Sequence, residues 1–173
     1  MPLLDRSGWA EDAFTRVETA EIEGLGHVLV PWPHLADALS RRGGNQQVGV
    51  EIDNGLRFHD LRPALDHVAL ISVIFPGFAD GRGFSLARLV RMQGYTGALR
   101  ANGPLIADQF AEALTCGFDQ IELPDALAER QPLEHWLRAV ASISRGYQRG
   151  YGQTASILDQ RRAARLKESP NVG

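Results

Sequence analysis

Hydrophobic runs bounded by Gly, Pro, Asn and Asp recur along the chain at intervals that suit strands alternating with helices, the pattern of a parallel sheet with crossover helices. The first expected strand covers 26 to 31 (GHVLVP). After it, 33 to 42 places Leu35, Ala38 and Leu39 on one helical face until Gly43-Gly44 ends the pattern. The second strand lies near 47 to 52 (QVGVEI), followed by a turn at Asp53-Asn54-Gly55 and a short helix over 60 to 65. The third, 68 to 75 (VALISVIF), is nearly all apolar and β-branched, as a central strand covered on both faces should be.

Pro76-Gly77 stops that strand, and after the loop 78 to 83 a helix is expected from about Ser85 to Gln93, with Leu86, Leu89 and Val90 spaced for burial and Gly94 at its end. A fourth strand at 97 to 101 leads to a helix from about Pro104 to Thr115, whose inner stripe is Leu105, Ile106, Phe110, Ala113 and Leu114. Proline in its first turn and Gly117 past its end follow the usual asymmetry. The fifth strand is 119 to 123, and 132 to 144 forms a last helix containing Trp136 and Leu137.

Residues 1 to 20 read as an entry segment of unassigned structure. Beyond Gly146 the periodicity breaks, with a short helix expected over 156 to 166. The pattern therefore predicts one α/β domain over 1 to 145, a mainly parallel five-stranded sheet with crossover helices, and a basic C-terminal tail over 146 to 173. A partial βα-barrel-like arrangement is the alternative, 173 residues being too few for an eight-fold barrel.

Composition narrows the function classes. An apolar content of 44% fills a core of this size without disulfides or metal staples. The single cysteine, Cys116, forms no internal disulfide and cannot supply the thiolates of a zinc site or an iron-sulfur cluster, so no metal or other cofactor is expected. It reads as a small buried residue, since the carboxyl end of a helix disfavours a thiolate. The five histidines show no metal-ligand spacing. No export leader or membrane span is visible, so a cytoplasmic location is expected. The net charge of −3 divides unevenly: six basic side chains against Asp159 and Glu168 in residues 145 to 173 leave −7 for the rest. An acidic body argues against a nucleic-acid partner.

In open α/β sheets ligands sit beyond the carboxyl ends of the strands. Three positions fall in that zone: the loop from Phe78 to Ser85 after the third strand, Arg100 at the end of the fourth, and Glu122 at the end of the fifth. Gly81 and Gly83 permit close backbone approach, Ser85 is placed to cap the following helix, and Arg82 adds positive charge. Together these could hold an anion such as phosphate, sulfite or a carboxylate. The same residues also suit a tight turn in which Arg82 pairs with Asp80. Arg100 either joins the anion pocket or pairs with Asp108 or Asp119. Asp108 and Gln109 either face the pocket or lie on a solvated helix face. Asp80 is the one candidate general acid or base.

The run from residue 74 to 123 resembles the bacterial domain-of-unknown-function 934 family. The resemblance is carried by Phe75-Pro76, Phe78, Asp80-Gly81-Arg82-Gly83-Phe84-Ser85, Gly94-Tyr95, Gly97, Leu99-Arg100, Gly103, Asp108-Gln109, Gly117-Phe118-Asp119 and the later Tyr147-Gln148. Weaker similarity extends it to about residues 8 to 148. The chain departs from the family pattern at Pro104 and Ala107, where related sequences more often carry an acidic residue and an arginine.

Members of this family are labelled oxidoreductases of sulfite reduction because they accompany sulfite reductase in sulfate-assimilation gene sets. The resemblance thus implies an accessory protein of assimilatory sulfite reduction that docks on sulfite reductase, or that holds a sulfur oxyanion or a phosphate-bearing ligand through Arg82 and Arg100. An independent small-molecule enzyme using Asp80 and a ligand-free assembly factor are the competing readings.

Overall fold

The computed structural model describes residues 1–141; the basic tail, the helix expected over 156 to 166, Tyr147-Gln148 and the end of the 132 to 144 helix lie outside them. Eight strands build one sheet: β1 (Leu3–Asp5), β2 (Gly8–Ala10), β3 (Phe14–Arg16), β4 (His27–Pro31), β5 (Val48–Asp53), β6 (Leu70–Ile74), β7 (Ala98–Asn102) and β8 (Gln120–Glu122). Their order is β2-β1-β8-β7-β6-β5-β4-β3. From β3 to β8 each strand lies parallel to its successor, whereas β1 runs antiparallel to both β2 and β8.

All five expected strands are present in this parallel run, but the sheet has eight strands, not five. The three additional strands come from the first sixteen residues, and each is three residues long, too short for a period of two to stand out.

The connecting helices are α1 (Leu35–Arg41), α2 (Phe58–Leu61), α3 (Arg82–Met92), α4 (Ala107–Cys116) and α5 (Asp125–Arg130), and the chain is helical again from 133 to 141. None among the described residues is long and apolar enough to cross a membrane. Two of the shifted starts bear on the site. α3 begins three residues early, with Gly81 at its cap and the Asp80 carboxylate accepting from the N–H of its first residue, so Ser85 is an exposed residue of the helix and not its cap. α4 begins at Ala107, which leaves Pro104 outside it and Ile106, expected on the inner stripe, 40% exposed.

The strands bury opposite faces in different ways. Val28, Val30, Val50, Ile71, Val73, Leu99 and Ile121 pack outward against Leu35, Phe84, Ala87, Val90, Phe110, Ala113 and Trp136, making one apolar core between sheet and helices. The alternate residues line the inner, concave face. At its amino-terminal end Leu29 and Leu70 close over Gly49, where a Cβ would press on the Leu70 side chain. Towards the carboxyl ends this face turns polar, with Glu51, Ser72, Arg100 and Gln120 forming one row across β5 to β8, and Asn102 and Glu122 the next.

The sheet curls into a half-barrel. Its two edge strands, β2 and β3, are joined by residues 11 to 13 alone, and four peptide steps reach at most about 14 Å. The edges are therefore bridged by the chain itself, and side chains from β3 can meet those from β8 across the concave face.

Candidate functional site

The polar half of the concave face is a continuous network of charges. Arg100, 1% exposed, donates from Nη1 and Nη2 to the carboxylate of Asp12 at 2.7 and 2.6 Å, and from Nη1 to Glu122 at 3.3 Å. Arg16 donates to both oxygens of Glu122 at 2.8 and 3.0 Å, and forms an ion pair with Glu51 at 3.1 Å. The Asn102 amide reaches the same Glu51 at 3.4 Å. An unpaired charge at this depth costs several kcal/mol, and the network avoids that by alternating guanidinium and carboxylate.

The electrostatic consequences follow from the pairing. The Glu122 carboxylate raises the Arg16 pKa, against the opposing effect of burial. Burial pushes the Asp12 carboxyl up, but the hydrogen bonds from Arg100 and from the Phe14 N–H outweigh it, so its pKa lies below the usual value. Ser72 stands between Glu51 and Arg100 in the same row. Its buried hydroxyl has no hydrogen-bond partner among the described residues.

A second cluster sits on the carboxyl-terminal rim, where the turn after β5 meets the loop after β6. Asp53 accepts from the Gly55 N–H at 2.6 Å, and a Cβ on Gly55 would meet both that carboxylate and the Arg82 guanidinium. Arg82 in turn grips Asp80 through Nε at 2.9 and 3.2 Å and Nη2 at 2.6 Å, while its own N–H bonds Asp80 Oδ1 at 3.2 Å. This contact holds the Asp80 carboxyl far below the ordinary carboxylate range. The buried Asn54 amide turns toward the same carboxylate without closing a well-formed hydrogen bond.

The remaining residues singled out from the sequence separate in space. Gly83 lies against the Phe75 ring, into which a Cβ would run, so it serves packing. Arg100 pairs with neither Asp108 nor Asp119; Asp119 belongs to Arg91 at 2.6 Å, and Asp108 is exposed beside a groove shared with His135 and Arg138. Gln109 ties two rim loops together, donating to the Phe78 carbonyl at 2.6 Å and accepting from the Ile106 N–H at 3.2 Å. It thereby holds Phe78, 63% exposed, and Ile106 close to each other, with Ile74 exposed at the end of β6. Arg82 and Arg100 share no partner. Cys116 is buried, and burial pushes its thiol pKa up.

Sequence reasoning missed Asp12, Arg16 and Glu51. A signal existed: Glu51, Arg100 and Glu122 are charged residues inside strands, and in a parallel sheet with one shared register they fall on one face. Asp12 and Arg16 carried no such signal, because their segment lacked an assigned element. Among the described residues no three His, Cys, Asp or Glu side chains converge as metal ligands.

The family described as bacterial protein of unknown function (DUF934) matches residues 49–158, and the chain belongs to that family. The match takes in β5 to β8, and with them Glu51, Ser72, Arg100, Asn102 and Glu122, while Asp12 and Arg16 precede it. No curated protein matches the chain.

Proposed function

We propose that this protein serves assimilatory sulfite reduction as an accessory factor that docks on sulfite reductase through the carboxyl-terminal rim of its half-barrel. One observation favours docking over oxyanion binding: both arginines nominated to hold an anion already carry carboxylate partners, Arg82 on Asp80 and Arg100 on Asp12 and Glu122. An incoming sulfite or phosphate would have to displace them. The same rim carries Phe78 and Ile106 as exposed apolar side chains on braced loops, the kind of anchor a partner surface covers. The competing reading, an enzyme with Asp80 as general acid or base, is disfavoured because Arg82 engages both carboxylate oxygens and holds the pKa far below neutrality, leaving the group without a proton to give and only weakly basic.

The test is a pull-down of sulfite reductase from the same cell by the full chain and by Phe78→Asp, with thermal unfolding of the chain in sulfite, sulfate, phosphate and ionic-strength-matched chloride. Docking predicts capture by the wild type, loss of capture by Phe78→Asp, and no shift of the unfolding midpoint with any anion. A sulfite-specific rise in the midpoint without capture of the reductase would instead support oxyanion binding.

A further inference from the structure

At the opposite end of the barrel, a cavity of about 470 Å³ opens between the segment leading into β6 and the loop leading into β7. We propose that it binds a small zwitterion of α-amino-acid type, with Arg62 on the carboxylate and Asp66 on the ammonium group. This inference is independent of the docking reading, which concerns the other rim.

The charges select the ligand. Arg62 and Asp66 both line the cavity, one helical turn apart in the chain. Opposite charges at that spacing commonly pair with each other. Here neither makes an ion pair or a side-chain hydrogen bond among the described residues, so one unspent cation and one unspent anion border the same space. A phosphate or dicarboxylate placed there would meet Asp66, and a polyamine would meet Arg62. A molecule bearing one charge of each sign satisfies both. The volume falls within the range of small-molecule sites and accommodates an amino acid with its side chain.

The opposite wall is built rigidly. Arg91 donates to the carbonyls of Tyr95 and Gly97, each at 2.8 Å, to the Gly117 carbonyl at 2.9 Å and to Asp119 at 2.6 Å, which clamps the loop from 94 to 97. Tyr95 is buried beneath it, and Gly97 is pressed so closely on the Tyr95 hydroxyl and the Ala69 carbonyl that no Cβ fits. The clamp engages the Tyr95 and Gly97 carbonyls, and among the described residues the side-chain amide of Gln93 and the Thr96 hydroxyl on the cavity wall have no hydrogen-bond partner and are available to a ligand's polar groups. The backbone of this wall is fixed in advance, so binding costs it little entropy.

The test is thermal unfolding and calorimetry of the full chain with each of the twenty standard L-amino acids at concentrations up to about 10 mM, where a ligand of the folded state raises the midpoint. Their Nα-acetyl and α-carboxamide derivatives, which keep only one of the two α-charges, serve as controls. At least one amino acid should bind, both of its derivatives should fail, and Arg62→Gln and Asp66→Asn should each weaken binding about ten-fold or more. Both side chains are exposed, so the ligand-free midpoints of the variants should match the wild type. The proposal is overturned if no amino acid shifts the midpoint, if either derivative binds as well as its parent, or if both variants bind like the wild type.

Discussion

Replacing Arg100 by Met tests whether the concave network stabilises the half-barrel. The substitution keeps most of the apolar stem and removes the guanidinium, leaving Asp12 without its bidentate partner and Glu122 with one cation instead of two. Breaking a buried pair from one side typically costs about 3–5 kcal/mol. Two features reduce that figure here: the Asp12 side chain is 34% exposed and can rehydrate, and Glu122 keeps both hydrogen bonds from Arg16. The expected loss is about 2–3 kcal/mol, read from urea unfolding as a lower midpoint at unchanged slope.

The pH dependence supplies an independent check. Asp12 has a depressed pKa in the folded state, so its contribution is present above the unfolded carboxylate value of about 4 and is lost as pH falls through the folded one. Wild-type stability should therefore fall on acidification below about pH 4, and more steeply than that of Arg100→Met, in which the depression is relieved. Asp12→Asn should remove the same part of the slope, and the double variant should cost less than the two singles added together. A loss below about 1 kcal/mol with an acid limb parallel to the wild type would refute the reasoning, placing the network among weakly coupled surface pairs.

Gly103→Ala should be among the most damaging single-methyl additions. The residue has φ +147°, and a Cβ there collides with the Phe75 carbonyl oxygen at the junction of β6 and β7, so a loss of about 3 kcal/mol in urea unfolding is expected. Cys116 should react with a thiol reagent far more slowly in the native protein than in urea, because its thiol is buried and its pKa raised; equal rates at neutral pH would contradict that placement.

Pattern alone located the β4 to β8 strands and the helices between them, because each buries an apolar stripe whose period is set by local geometry. GHVLVP and VALISVIF announce strands wherever they occur, and Gly94 and Gly117, both at positive φ, end their helices as glycines do. The family was equally legible, since residues 74 to 123 carry the pattern that the family match then spans.

The curl of the sheet was legible only as the alternative, a partial barrel, and the strands that complete it were not legible. β1, β2 and β3 bury too few residues to show a period, and they are strands only because β8 and β4 offer them open edges. The partners of Arg100 were hidden for the same reason. Asp12 is 88 residues away in the chain, and it meets Arg100 because a three-residue link must cross the mouth of the curled sheet. A strand's alternation says that Glu51, Arg100 and Glu122 are charged where apolar residues are expected. Only the shared parallel register brings them onto one face, and only the curl brings Arg16 across to neutralise two of them. Local periodicity is a property of neighbouring residues, whereas charge compensation depends on distances through space that the closed sheet alone defines.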